Sequence, residues 1–555
     1  MRFRTLICLI VASALGYARQ PVHARHGMVV AQEPIATDVG VKVLQSGGNA
    51  IDAAVAVGLA LAVTHPFAGN IGGGGFMLVR FADGRSTFID FREKAPLASS
   101  RNMYLDANGN VTKDSVLGWR ASGVPGSVRG FELAHKKYGH KSWADVVEPA
   151  VRLASDGFTV SYSLGQSLKS EGTVRKLSMF PDSKRIFLGV DIGGNLLQPE
   201  LAATLKRIQA NPDDFYEGEI ARKLAADMKA NGGLITLQDL QDYRAIERTP
   251  LRGKYHDYDV ITSPPPSSGG VGILQMLGML EGSGYDKTGA GSAASIHYVA
   301  EVMRRFYADR SEYLGDPDFV KNPITKLLDP TYIARRRATI DRQHATPSSQ
   351  IRPGNLNDQE STQTTHFNVV DSDGNAVAVT YTLNGGFGSG VTAPGLGFLL
   401  NNEMDDFASK PGSENMFHLI QGEANAIQPG KRPLSSMTPT ILLHDGKFFM
   451  AVGAPGGSRI INGVLQVILN VLDFHMNVQD AVDWPRFHHQ WMPDELFLER
   501  GISPDTASIL RGMGHKIESY EATDPIVARV EAIVNADGWL QGGADGRGNA
   551  KAEGY

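Results

Sequence analysis

The sequence predicts an α+β protein, and three observations carry that prediction. Helix-like apolar spacing fills residues 36–63 and most of 127–246, a short hairpin sits between those stretches, and the chain beyond residue 363 is rich in strand-length apolar runs. No repeat of fixed period runs through it.

Taken in order, Ala36 to Gln45 spaces Val39, Val41, Val43 and Leu44 at helical intervals, and Gly47-Gly48 supplies the stop. Asn49 is a good N-cap for a second helix, Ala50 to Val63, whose sequence AIDAAVAVGLALAV is almost wholly apolar. Such a helix belongs in a core, with Asp52 its one acid. HPFAGNIGGGG then leads into FMLVRF, and STFIDFRE follows the Asp83-Gly84 turn, which together read as a hairpin. From about Ser127 to Ile246 the pattern is mostly helical, with WADVVEPAVRLASDG and EIARKLAADMKANGG ending in glycine. PPPSSGG, Pro264 to Gly270, is a loop before the helical stretch VGILQMLGML, and SIHYVAEVMRRFYADRSEYL reads as an amphipathic helix. Asp341 to Gln363 is almost wholly polar and is expected to be an exposed, mobile loop marking an internal boundary. Beyond it HFNVVD, NAVAVTYTL, TPTILLHDGKFFMAVG and ARVEAIVNADGWLQGG read as strands.

The 555 residues are 42% apolar and 20% charged, enough to bury a large core. With a net charge of −5 and no basic block, nucleic acid is not an expected partner. The single cysteine, Cys8, excludes an intramolecular disulfide and a cysteine zinc site. It lies in a segment expected to be removed. Arg2 and Arg4 precede an apolar run from Leu6 to Leu15, and Val22-His23-Ala24 follows, a pattern that reads as a signal peptide over residues 1–24. A cut after Ala18 is the alternative. The apolar run is well short of the roughly 20 residues that span a bilayer, so export to periplasm or medium without a stable membrane anchor is expected.

Candidate chemistry gathers where the polar loop ends. THFNVVD and NAVAVTYTLN flank Asp371-Ser372-Asp373-Gly374, a hairpin turn signal. A three-residue loop sets Thr364 opposite Thr382, and a two-residue turn sets it opposite Leu383. Either register brings Thr364 beside Thr382, and strand alternation puts Thr382 and Asn384 on one face. Spacing alone is equally satisfied by a polar sheet face.

The motifs THFNVVDSDGNAVAVTYTLN, NNEMDDFASKPG, KRPLSSMTPT, GAPGGSRI and PRFHHQW, with GGNAIDAAVAVGLALAVTHPFAGNIGGGGFML and FIDFREKAP before them, closely resemble the gamma-glutamyltransferase (gamma-glutamyltranspeptidase) family. The resemblance covers nearly the whole chain beyond residue 26, in order. It implies an N-terminal-nucleophile hydrolase with an αββα sandwich, made as one precursor that cuts itself between Gln363 and Thr364. The large subunit would be residues 25–363 and the small one 364–555, the two forming a heterodimer. The resemblance further implies that glutathione and other gamma-glutamyl compounds are substrates and that water, amino acids or dipeptides are acceptors. No cofactor or metal is implied.

The chemistry suits these residues. The Thr364 hydroxyl would attack the Gln363 carbonyl, and the freed α-amine, titrating near roughly 7.7 to 8.0, would serve as base for its own hydroxyl. By the resemblance, Thr382 orients Thr364, and Arg92 in FRE pairs with the substrate α-carboxylate, assisted by Ser435 and Ser436. Asn384, Glu403 and Asp406 would hold the α-ammonium, and the N–H groups of Gly456 and Gly457 would form the oxyanion hole. Taken alone, each of these is equally a loop, turn or surface residue.

Other features are weaker. Gly72 to Gly75 lacks a following GK[ST] and any GxGxxG, which points to close backbone packing rather than a phosphate cradle. His488-His489, near Asp494 and Glu495, make a poor metal pair because adjacent strand residues face opposite ways. His366 shares a strand face with Thr364, yet is expected to be structural. Lys410 to Gly422 aligns with the family's lid loop, and Phe417 stands where bacterial relatives carry a Tyr that bonds to the residue matching Asn384. Glu403 stands where some relatives carry Gln. Two other readings stay open: a glutaryl (cephalosporin-type) acylase on the same scaffold, and an exported binding protein that does not mature.

Overall fold

The computed structural model describes residues 19–352, 365–410, 423–519 and 526–555. In chain order the strands of its two large sheets are β1 (Val22–Ala24), β2 (Met28–Ala31), β3 (Gly74–Arg80), β4 (Ser86–Phe91), β5 (Ile246–Arg248), β6 (Leu251–Tyr255), β7 (Tyr258–Thr262), β8 (Thr365–Val370), β9 (Ala376–Thr382), β10 (Thr440–His444), β11 (Lys447–Gly453), β12 (Glu531–Ala536), β13 (Trp539–Gly543) and β14 (Lys551–Gly554). One sheet runs β14-β2-β8-β9-β3-β4-β5 and the other β1-β13-β12-β11-β10-β7-β6, every pairing antiparallel.

Strand alternation explains the layering. In β2, Val29 and Ala31 join the core beneath helices α1 (Pro34–Gln45), α2 (Ala50–Thr64), α3 (Ser127–Tyr138) and α4 (Trp143–Asp156), whereas Met28 and Val30 face the second sheet. Met77 and Val79 of β3 divide from Phe76 and Leu78 in the same way. The far face of the second sheet is covered by α5 (Gly269–Leu280), α6 (Ala293–Tyr313) and α7 (Arg459–Leu472). The result is an αββα sandwich with two cores, as the resemblance implies.

Helix α2 is buried along its whole length. Its one acid is a cap: Asn49 Oδ1 accepts from the N–H groups of Ile51 and Asp52, while Asp52 accepts from Asn49 N–H at 2.9 Å and from the His140 and Lys141 N–H groups. The β8–β9 hairpin has the three-residue-loop register, with Thr365 opposite Tyr381.

Two expectations change. Helix α6 is not amphipathic: Glu301, Arg304, Arg305, Asp309 and Arg310 are all buried. They satisfy one another or neighbouring groups, as where Glu301 accepts from Arg304 at 2.7 Å and Arg305 at 2.6 Å, so helical charge periodicity here does not report water. The described part of the polar stretch after Asp341 is not a free loop. Thr346 donates twice to Glu301, Ser348 donates twice to Asp494, and the Trp491 indole donates to the Ser348 and Ile351 carbonyls. Its polar residues are partners for the buried Glu301 and the half-buried Asp494. In the uncut chain Val22–Ala24, the segment before the proposed cut, pairs with β13 as an edge strand. A cut after Ala24 would remove that strand, and a cut after Ala18 keeps it.

Strands from both sides of residue 364 are interleaved. β2, β3, β4 and β5 share one sheet with β8, β9 and β14, and β2 itself lies between β14 and β8.

Candidate active site

The site is built where β4, β9 and β11 end and β8 begins. Gln363 and Thr364 lie outside the described residues, as do 411–422 of the lid stretch, Phe417 among them; Lys410 Nζ donates to the Gly109 carbonyl at 2.9 Å.

At the end of β9, Thr382 is buried, its hydroxyl accepts from Asn384 N–H at 2.7 Å, and its carbonyl accepts from Asn70 Nδ2 at 2.8 Å. That short bond accompanies a left-handed backbone at Asn384, φ +72°, a conformation asparagine tolerates better than most side chains. Asn384 Nδ2 donates to the Asn402 carbonyl at 3.0 Å, and Gly385 N–H donates to Asn402 Oδ1 at 2.8 Å. These bonds tie the end of β9 to the short turn Glu403–Asp406.

That turn faces Arg92, one residue beyond β4. The buried guanidinium pairs with Glu403 through Nη1 and with Asp406 through Nη2, and Glu93 lies 3.6 Å from Nη1. Its Nε and Nη2 also donate to the carbonyls of Pro433 and Leu434 at 3.2 and 3.3 Å, which brings Ser435 and Ser436 to the same cluster. The structure thus gathers Arg92, Glu403, Asp406, Ser435 and Ser436, with the cation and the acids paired to each other.

Charge is unevenly compensated here. Burial pushes Glu93 up to about 8 and Glu403 well above the usual carboxylate range, in each case against the pull of Arg92. Among the described residues neither Glu93 oxygen has a hydrogen-bond partner, nor does Glu403 Oε2. Three acids thus surround one guanidinium, with burial holding Glu93 and Glu403 toward their protonated forms.

His366 is structural. Asn368 Nδ2 donates to the Glu531 carbonyl at 2.9 Å, so Asn368 Oδ1 is the acceptor for His366 Nε2 at 3.1 Å, and His366 Nδ1 then accepts from the Thr380 hydroxyl at 2.9 Å. Both ring nitrogens are engaged and burial pushes the imidazole down to about 3, which leaves it neutral and unsuited to take a proton from Thr364. The ring also packs against Gly453, where a Cβ would lie 2.2 Å from His366 Cε1. This contact brings the end of β11 against β8. The loop that follows carries Gly456 at φ +134° and Gly457 at φ +64°, with their carbonyls accepting from Arg459 and Ile460 at the start of α7.

Gly72 to Gly75 is close backbone packing. A Cβ on Gly72 would lie 2.1 Å from the Leu399 carbonyl and one on Gly73 2.0 Å from that of Thr382. His488 and His489 are held apart, His488 by Asn462 at 2.7 Å and Gln490 at 2.9 Å, His489 by Arg304 with Asp494 at 3.4 Å.

Sequence reading missed Glu93, Asn402 and Arg310. Glu93 stands in the FRE motif that was read only for its arginine, Asn402 adjoins Glu403, and Arg310 looked like the wet face of α6.

The family model described as Gamma-glutamyltranspeptidase matches residues 36–555. The chain is 52% identical to the glutathione hydrolase proenzyme of Escherichia coli (strain K12), over 95% of this chain and 91% of that protein. The crystal structure of Helicobacter pylori gamma-glutamyltranspeptidase superposes with a TM-score of 0.57 at 45% identity, covering 58% of this chain and 94% of that one. That of cephalosporin acylase from Bacillus halodurans gives 0.85 at 26% identity, over 99% of each chain.

Proposed function

The chain belongs to the gamma-glutamyltranspeptidase family, and from that premise we propose how its residues divide the work. It is a gamma-glutamyltransferase and glutathione hydrolase made as a self-processing proenzyme. In the proposed maturation the Thr364 hydroxyl attacks the Gln363 carbonyl, the C–N bond breaks, and the amine of Thr364 is released as an ester forms. Water then hydrolyses the ester, leaving Thr364 as a new N-terminus. The subunits 25–363 and 364–555 would stay together because β2 is hydrogen-bonded on both edges to strands of the other subunit.

In turnover the Thr364 amine takes the proton of its own hydroxyl, which attacks the gamma-carbonyl of glutathione or a related amide. The released amine leaves, and the acyl group passes to water or to an amino acid or dipeptide. If the register that pairs Thr365 with Tyr381 were continued by one residue, Thr364 would stand opposite Thr382, the proposed orienting group. Gly456 and Gly457 serve as oxyanion donors at the positive end of α7. Arg92, Ser435 and Ser436 take the substrate α-carboxylate, and Asn384, Glu403 and Asp406 the α-ammonium.

One observation carries this reading: a buried guanidinium and two acids from distant segments converge beside Ser435 and the end of β9. An amino acid head needs both signs within a few ångströms. A glutaryl acylase shares the sandwich but has no use for acids at an ammonium site. Steady-state assay of a gamma-glutamyl anilide against a glutaryl anilide tests the point; the expected result is strong preference for the gamma-glutamyl compound, and preference for the glutaryl one would overturn the reading.

Export to periplasm or medium is proposed from residues 1–24 of the sequence. Among the described residues no helix is long and apolar enough to cross a membrane.

A further inference from the structure

A second guanidinium lies beneath the Ser435-Ser436 turn. Arg310, on α6, is 1% exposed, and it donates from Nε to Ser268 Oγ at 2.8 Å and from Nη2 to Ser436 Oγ at 3.2 Å. Ser268 passes the link onward. Its N–H and its hydroxyl both donate to the Ser435 carbonyl, at 2.7 and 2.8 Å. Ser435 N–H in turn donates to the Pro266 carbonyl at 2.8 Å, which fastens the turn to the loop preceding α5.

Hydrogen-bond direction follows from the groups involved. A guanidinium only donates, so Ser436 Oγ receives and offers its own proton. Ser435 Oγ receives from Met437 N–H at 3.1 Å and is set the same way. Two hydroxyls poised as donors side by side have the polarity a carboxylate requires. The guanidinium behind them adds charge. It acts electrostatically on Asp406, which Arg92 also holds, so the two cations flank one acid and one serine turn. Burial lowers Arg310 to about 9, so its charged form gains from an anion placed nearby.

We propose that Arg310 is a positioning residue for the substrate α-carboxylate, fixing the Ser435 and Ser436 hydroxyls as donors and setting a second positive charge behind them. The proposal rests on reading those two serines as the carboxylate subsite. A planar fork reaches both Ser268 and Ser436, which a lysine ammonium on one flexible stem does not reproduce.

The test is steady-state kinetics of matured wild type, Arg310→Met and Ser268→Ala on two anilides. One is gamma-glutamyl 4-nitroanilide; the other is 4-aminobutyryl 4-nitroanilide, which keeps the amine and lacks the α-carboxylate. Arg310→Met is expected to raise KM for the gamma-glutamyl compound about 10- to 100-fold with kcat within about 3-fold, as loss of binding common to ground and transition states requires. KM for the aminobutyryl compound should not move. Ser268→Ala, which retains the guanidinium, should shift the first KM in the same direction by about 3- to 10-fold, and it decides the matter if Arg310→Met fails to mature. A wild type that does not distinguish the anilides overturns the carboxylate reading and this proposal with it. A wild type that does, with its preference intact in the variants or with equal losses on both anilides, overturns this proposal alone.

Discussion

Replacing Gly453 by alanine probes the joint between the two sheets, on which the placement of the proposed oxyanion loop at Gly456 and Gly457 depends. The new Cβ would stand 2.2, 2.5 and 2.6 Å from three atoms of the His366 ring, far inside van der Waals contact. The ring has nowhere simple to go, since it is fully buried and held by Thr380 and Asn368. Overpacking costs about 1 to 3 kcal/mol and the two displaced hydrogen bonds about 1 kcal/mol each, offset by under about 1 kcal/mol from restricting the unfolded chain. The net loss is about 2 to 5 kcal/mol. Denaturant unfolding in a Thr364→Ala background, where the chain is expected to stay whole, reads this loss directly. With Thr364 restored, misplacement of the reacting groups should slow maturation about 10- to 100-fold. Gly446→Ala is the control: it sits at φ +72° with nothing within 4 Å of its Cβ, so it should cost about 1 to 2 kcal/mol of backbone strain and leave maturation alone. In Gly453→Ala/His366→Ala the penalty of the first change should largely vanish, because the two are in contact. A Gly453→Ala protein within about 0.5 kcal/mol of its parent that matures at the normal rate would refute the reasoning.

Two further outcomes follow from the buried charges. His366 is held down to about 3 and His489 to about 4, so below the ordinary histidine pKa of 6.5 the unfolded chain takes up protons that the folded one refuses, and stability falls as pH drops from about 6.5 toward 4 by up to about 1.4 kcal/mol per unit for each. Glu93, raised from 4.5 to about 8, works in the opposite sense: its contribution is intact below about 4.5 and is lost as pH rises through 8. Unfolding midpoints of Thr364→Ala across pH 4.5 to 8.5 should therefore pass through a maximum, and Glu93→Gln should flatten the alkaline side and steepen the acid side. Asp494→Asn weakens the acceptor of both Ser348 bonds and the partner of Arg304, so limited trypsin digestion should cut after Arg342 several-fold faster while the rest of the chain stays protected. An unchanged digestion rate would show that this anchor does not hold the segment.

Much of the scaffold was legible because local and global preferences agree. Asn49 announces the start of α2, an uninterrupted apolar run announces its burial, and the Asp371 to Gly374 turn narrows the β8–β9 register to two, of which the structure takes the three-residue loop. What stayed hidden depends on partners far away in the chain. Arg310 on α6 looks like a solvated charge until the turn at Ser435 is folded against it, and the polar residues after Asp341 look like a free loop until Glu301 and Asp494 are in place. Val22–Ala24 has the small-residue form of a cleavage site, and only the pairing with β13 makes it a strand. At the site itself, motifs located Arg92, Glu403 and Asp406, but no spacing in the sequence shows that one guanidinium bridges both acids with Glu93 alongside.

The account stands on Thr364 as the nucleophile of its own release, and intact mass with N-terminal sequencing of wild type beside Thr364→Ala tests that most directly. Two chains in the wild type, the smaller beginning at Thr364 and ending at Tyr555, with the variant whole, is the predicted result. A wild type that remains one chain, or a variant cut at the same bond, would contradict it.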